Sequence, residues 1–159
     1  MTAALDIAPV RTAADLAATA ELFAGYAASL PVDQDYQDFD GELAALPGQY
    51  APPAGELFLA RDADGAPLGC VGLRPLPDDG CCEMKRLFLL PAARGLGLGR
   101  ALTESVVAHA RTLGYRELRL DTLASMAAAQ ALYGSMGFER IAPYYAPTPP
   151  GTVFMALML

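Results

Sequence analysis

The fold is decided by residues 81–100, which read CCEMKRLFLLPAARGLGLGR. Residues 81–90 are typical of a strand that Pro91 ends, and a glycine-rich turn follows. Residues 98–113 then have the spacing of a helix, and residues 115–123 alternate as a strand does. A strand, a helix and a second strand form a crossover unit. This unit implies two parallel strands in one sheet.

The rest of the chain adds elements before and after this crossover. The predicted strands are residues 4–11, 56–61 and 67–73, together with two final strands that flank residues 147–151. The predicted helices are residues 12–30, 40–46 and 125–136. The order β-α-α-β-β-β-α-β-α-β-β indicates an α/β (α+β) fold. We expect a mixed, mostly antiparallel central sheet with helices on both faces.

Composition excludes several classes of protein. A chain of 159 residues can form one self-sufficient core, so residues 1–159 are interpreted as a single domain. The formal net charge of -7 argues against nonspecific binding to nucleic acid or to an anionic membrane. The one histidine, His109, lies in a helical pattern, so neither a multi-histidine metal centre nor a Ser-His-Asp triad is expected.

The three cysteines and the hydropathy pattern bear on the compartment. Cys70, Cys81 and Cys82 have no CxxC spacing, which indicates reduced thiols and not a disulfide framework or a zinc site. No apolar run approaches the ~18 residues of a membrane helix, and the first residues lack the pattern of a signal peptide. A cytoplasmic location is therefore the default expectation.

The glycine-rich turn is the strongest functional signal. Its residues are Arg94-Gly95-Leu96-Gly97-Leu98-Gly99-Arg100. Alternate glycines let backbone N–H groups converge, and the following helix adds partial positive charge, so the turn predicts an anion pocket for phosphate. The dinucleotide fingerprint and the nucleotide-triphosphate loop both need residues that are absent here. The alternative is a turn with no ligand.

Three charged residues within four positions interrupt the strand that leads into this turn. Glu83, Lys85 and Arg86 stand where a near-continuous apolar run is the norm. By alternation, Glu83 and Lys85 share one face and Arg86 takes the other. Buried charge is costly unless it is paired or borders a cleft, so these residues are candidates for a site. The alternative is a structural ion pair among them.

Together these segments resemble the GNAT superfamily of acyl-CoA-dependent N-acetyltransferases. The residues that carry the resemblance are Glu83-Met84-Lys85-Arg86-Leu87-Phe88-Leu89, Pro91, Arg94-Gly95-Leu96-Gly97-Leu98-Gly99-Arg100, Ala129-Gln130-Ala131-Leu132-Tyr133 and Met136-Gly137-Phe138. The most specific part is the Q/R-x-x-G-x-G/A signature, which Arg94, Gly97 and Gly99 match. The likeness extends over the order of elements along the whole chain.

The resemblance implies a role for each matching residue. Backbone N–H groups of residues 94–100 would hold the CoA pyrophosphate, and the main chain of Leu87, Phe88 and Leu89 would pair with the pantetheine arm. The strands beside this segment would splay to open a cleft. Tyr133 would protonate the departing thiolate, and Glu83 would be the general base. Family members often carry an asparagine where this chain has Met126, and the neighbouring Ser125 is the candidate replacement.

The function that follows is transfer of an acetyl group from acetyl-CoA to a primary amine of a small molecule or peptide. The alternatives are a non-catalytic CoA-binding or sensing module and a different α/β enzyme with a phosphate ligand. Candidate acceptor-lining residues are Tyr26, Tyr36, Phe39, Tyr144 and Tyr145. The acidic residues 33–40 favour a cationic amine. The apolar residues 153–159 are a candidate core strand or the strand of a possible homodimer.

Overall fold

The structure is a computed structural model that describes residues 5–31 and 38–159. The strands are β1 (Asp6–Pro9), β2 (Glu56–Arg61), β3 (Pro67–Pro75), β4 (Cys81–Leu89), β5 (Glu117–Thr122), β6 (Glu139–Ile141) and β7 (Val153–Met158). The helices are α1 (Ala13–Ser29), α2 (Phe39–Ala44), α3 (Leu98–Thr112) and α4 (Ala127–Ser135). The predicted order of elements is confirmed. Tyr36 and most of the acidic stretch lie outside the described residues.

The seven strands form one sheet in the order β1-β2-β3-β4-β5-β7-β6. Among the described strands, β4 and β5 alone pair in parallel, and α3 connects them as the crossover pattern predicts. All the other pairings are antiparallel, so the expected mixed, mostly antiparallel sheet is confirmed. β7 lies between β5 and β6, so the apolar end of the chain is an interior strand of this sheet.

The two faces of the sheet carry separate cores. On one face, α3 packs with alternate strand residues such as Phe58, Leu73 and Leu118. On the other face, α1 and α2 pack against the intervening positions, among them Leu57 and Leu59. Helices therefore cover both faces, as expected. No described helix is long and apolar enough to cross a membrane.

The start of α1 follows directly from its sequence. The Thr12 side chain accepts a hydrogen bond from the Asp15 backbone N–H at 3.0 Å, and the Asp15 carboxylate accepts from the Thr12 backbone. This reciprocal capping box satisfies two N–H groups that have no partner inside the helix. It fixes where α1 begins.

A β-bulge in β4 overturns one expectation. Arg86 has φ +61, and the register with β3 shifts between Cys70 and Gly72. One extra residue reverses the alternation beyond it. The Arg86 guanidinium therefore contacts Glu42 of α2, and Arg74 contacts both Glu42 and Glu83. The prediction that Arg86 points to the face opposite Glu83 is wrong.

Candidate active site

A cleft opens where β4 and β5 separate. Their pairing covers three residue pairs and ends at Glu83 with Arg119, while both strands continue beyond that point. The space between them opens to solvent and has a cavity volume of about 80 Å³. Its lining residues are Tyr26, Met84, Lys85, Arg86, Leu87, Leu120, Asp121, Thr122, Leu123, Met126, Ala129 and Tyr133.

Tyr133 of α4 brings a phenol to this cleft. Its side chain is 6% exposed and packs against Phe138 with ring centroids 5.7 Å apart. Burial raises the pKa of Tyr133 above its ordinary value of 10.0, and Tyr26 and Asp121 add to the effect. The hydroxyl therefore keeps its proton at neutral pH.

The glycine-rich turn precedes α3 in the geometry of an anion site. Gly95 and Gly97 have φ +80 and +77, and a Cβ at either would meet nothing within 4 Å. Gly97 is the N-cap of α3, and no side chain caps its first N–H groups. Arg94 and Arg100 are both exposed beside it, and Arg100 donates to Ser135 Oγ at 2.7 Å. These free N–H groups and the two arginines can receive a phosphate.

Glu83 pairs with Arg74 and Tyr144, and its charge acts on Lys85 without a salt bridge among the described residues. Its carboxylate is 1% exposed, Oε1 accepts from Arg74 Nε at 2.8 Å, and Oε2 accepts from the Tyr144 hydroxyl. Burial and the charge of Glu83 raise the pKa of Tyr144 above 10.0. Among the described residues, Glu83 lines a separate surface groove with Tyr144 and Tyr145 and does not line the cleft.

The carboxylate that lines the cleft is Asp121 of β5. Its Oδ1 accepts from Lys85 Nζ at 3.2 Å and its Oδ2 accepts from the Tyr145 hydroxyl at 2.7 Å. Burial lowers the pKa of Lys85 below 10.5, although the charge of Asp121 opposes this. Sequence reasoning missed Asp121. The available signal was the charged alternation of Glu117, Arg119 and Asp121 along one side of β5.

The other predicted site residues are distributed around these groups. Tyr26 lines the cleft, with the Arg86 guanidinium 5.7 Å from its ring centroid. Phe39 is buried with the same guanidinium 5.0 Å from its ring centroid. Ser125 is exposed in the turn before α4, and its neighbour Met126 lines the cleft. Glu83 and Ser125, which the sequence predicted for the site, do not line the cleft. Asp121 and Met126 line it instead.

The described residues hold no group of three His, Cys, Asp or Glu side chains arranged for a metal ion. Cys70, Cys81 and Cys82 are free thiols, all of them buried. Burial raises the pKa of Cys82 to about 12. These thiols therefore pack as small apolar side chains in the sheet.

The sequence matches the model of the acetyltransferase (GNAT) family over residues 19–138. It is also 39% identical over 153 residues to an uncharacterized N-acetyltransferase of Schizosaccharomyces pombe, covering 96% of this chain and 94% of that protein. The chain belongs to the GNAT acetyltransferase family.

Solved structures agree with the fold of this GNAT acetyltransferase. A GNAT acetyltransferase of Staphylococcus aureus superposes with a TM-score of 0.79 at 20% identity, over 96% of this chain and 98% of that one. An acetyltransferase of Salmonella typhimurium, solved with its cofactor acetyl-CoA, superposes with a TM-score of 0.74 at 22% identity, over 98% and 94%. At this identity both likenesses show the fold, and the GNAT enzyme's own chemistry is argued from its residues.

Proposed function

We propose that this GNAT enzyme transfers the acetyl group of acetyl-CoA to a primary amine of a small molecule or peptide. The observation that carries the proposal is the cleft between β4 and β5, which has the protonated phenol of Tyr133 in its wall and is flanked by a strand that leads into the uncapped, glycine-rich turn before α3. The Salmonella relative, which holds acetyl-CoA on the same fold, supports this choice of donor.

Acetyl-CoA would lie along β4. The N–H groups of residues 94–100, with Arg94 and Arg100, would receive its pyrophosphate. Beyond Glu83, β4 has no partner on its β5 side among the described strands, so the main chain of residues 87–89 is open to pair with the pantetheine amides. Ser125 is near enough in sequence to the α4 N-terminus to add a contact.

The reaction is a direct displacement in a ternary complex. The neutral amine nitrogen attacks the thioester carbon, a C–N bond forms and the C–S bond breaks. The departing CoA thiolate takes a proton from the Tyr133 hydroxyl, and the amine gives a proton to a carboxylate. Most of the acceleration comes from holding the two reactants together, worth up to about 7 to 11 kcal/mol in well-oriented systems.

Two carboxylates compete for the role of proton acceptor. Glu83, the sequence prediction, has both oxygens engaged and borders the surface groove. Asp121 lines the cleft whose wall also holds Tyr133, and each of its oxygens has a further lone pair beyond the bonds to Lys85 and Tyr145. The position of Asp121 favours it for direct transfer. Glu83 is left with transfer through Tyr144 or water.

The whole proposal is tested by incubating the purified protein with acetyl-CoA and a panel of primary amines. We expect a mass gain of one acetyl group on some amines and stoichiometric release of CoA. A protein that neither binds CoA nor acetylates any amine contradicts the proposal. Homodimer formation, a cytoplasmic location and the single domain over residues 1–159 remain predictions.

A further inference from the structure

One threonine hydroxyl in the cleft wall makes no hydrogen bond to any described residue. Among the described residues, Thr122 Oγ1 is the buried side-chain polar atom that makes no hydrogen bond, and Thr122 is 4% exposed. Other buried threonines are satisfied, since Thr19 donates to Asp15 O and Thr103 donates to Gly99 O, both at 2.8 Å. Buried polar groups nearly always have a partner, so this exception points to a missing one.

The position of Thr122 indicates which molecule supplies that partner. It ends β5, three residues past the last pair with β4, and it lines the cleft. Leu118 and Leu120 alternate with it and belong to the same core cluster as Tyr133. Asp121 projects to the other face, toward Lys85 and Tyr145. Thr122 therefore stands on the Tyr133 side, where the acyl donor and not the amine would pass.

We propose that the Thr122 hydroxyl donates a hydrogen bond to a carbonyl oxygen of the bound acyl-pantetheine arm. This inference rests on the proposed function. A hydroxyl supplies one donor, and the arm carries carbonyl oxygens in its two amides and in its thioester. The bond forms only when the acyl donor is bound. In the empty protein the buried hydroxyl has no partner, which costs free energy, and binding recovers that free energy as affinity.

The test compares Thr122→Val, Thr122→Ser and the control Thr19→Val. Valine keeps the shape of threonine and removes the hydroxyl, whereas serine keeps the hydroxyl. Affinity for acetyl-CoA and for CoA is measured by calorimetry, and stability without ligand is measured by urea unfolding. We expect Thr122→Val to be at least as stable as wild type and to bind acetyl-CoA about 2- to 12-fold more weakly. Thr122→Ser should bind within about twofold of wild type.

The control behaves in the opposite way. Thr19→Val loses the satisfied bond to Asp15 O, so it should unfold at lower urea while its affinity for acetyl-CoA stays unchanged. Weaker binding of Thr122→Val to both ligands places the bond on a pantetheine amide, and weaker binding to acetyl-CoA alone places it on the thioester. Either result supports the inference.

Three results overturn it. If the wild type binds acetyl-CoA and Thr122→Val binds it with the same affinity, this inference is overturned and the proposed function is not. A loss of stability in Thr122→Val as large as that in Thr19→Val has the same consequence, because the hydroxyl would then have a partner within the protein. A wild type that binds neither CoA nor acetyl-CoA overturns the proposed function, and this inference falls with it.

Discussion

At the scale of the residue, Tyr133 has two roles that one substitution separates. Tyr133→Phe keeps the ring that packs on Phe138 and removes the proton that the raised pKa holds in place. We expect kcat to fall about 100-fold, as for loss of a general acid, while the Kd for CoA and the stability change little. Steady-state kinetics and calorimetry measure the two quantities. A non-catalytic CoA-binding module would show no turnover before or after the change.

The identity of the proton acceptor is also decided by single residues. If Asp121 takes the amine proton, Asp121→Asn should lower kcat by about 100-fold, and Glu83→Gln should have a much smaller effect. Without this base, Asp121→Asn can use only amine that has already lost its proton in solution. Its remaining rate should therefore keep rising with pH, whereas the wild-type rate levels off.

Protein stability has to be followed in the same variants. Asp121→Asn leaves Lys85 without its carboxylate, and Glu83→Gln weakens the bond to Arg74. A loss of rate that tracks a loss of folded protein would indicate a structural role. A pH profile that changes only in Glu83→Gln would assign the base to Glu83 and remove Asp121 from the mechanism.

At the scale of the element, the turn before α3 depends on two glycines with positive φ. Gly95→Ala and Gly97→Ala add a methyl group that meets no atom within 4 Å, so only backbone strain opposes them. We expect each to cost about 1 kcal/mol of stability and to weaken CoA binding. Gly65→Ala is a matched control, because Gly65 has φ +84 and the same free space in the turn between β2 and β3. It should cost the same stability, measured by urea unfolding, with no change in CoA affinity.

If Gly65→Ala weakened CoA binding as much as Gly97→Ala, the effect would come from general destabilisation, and the turn would lose its assignment as the phosphate site.

The glycines of the turn could be found from sequence because their spacing and the following helix are local features. The same holds for the capping box of Thr12 and Asp15. Local chemistry of this kind predicts the order of elements in this chain.

Other parts of the site depend on distant neighbours and were not predictable. The Asp121 carboxylate is held by a hydrogen bond from Lys85, which is 36 residues away in the chain. The face on which Arg86 lies depends on a β-bulge, which arises from a shift in register between β3 and β4. The alternation of residues along β4 alone does not indicate this bulge. The unpaired Thr122 hydroxyl becomes visible only when every possible partner has a position.

At the scale of the whole molecule, one ion pair ties α2 to the bulged strand. Glu42 accepts from Arg86 Nε at 2.9 Å and from the Tyr50 hydroxyl at 3.0 Å. Burial by itself would raise the pKa of Glu42, but the hydrogen bonds and charge of Arg86 outweigh it and hold the pKa below 4.5. A carboxyl with a lowered pKa stabilises the fold above pH 4.5, and this stabilisation is lost as the pH falls through the pKa of the folded state.

Glu42→Gln should therefore unfold more easily at neutral pH, because it leaves the buried Arg86 charge uncompensated. We expect a loss of about 3 kcal/mol at pH 7, measured by urea unfolding. The difference from wild type should narrow below pH 4.5, where protonation of Glu42 weakens the same ion pair in the wild type. Glu21→Gln, on the exposed side of α1, should differ little from wild type at any pH. A loss in Glu42→Gln that stayed constant down to acid pH would mean that shape and packing, and not charge, hold α2 against the sheet.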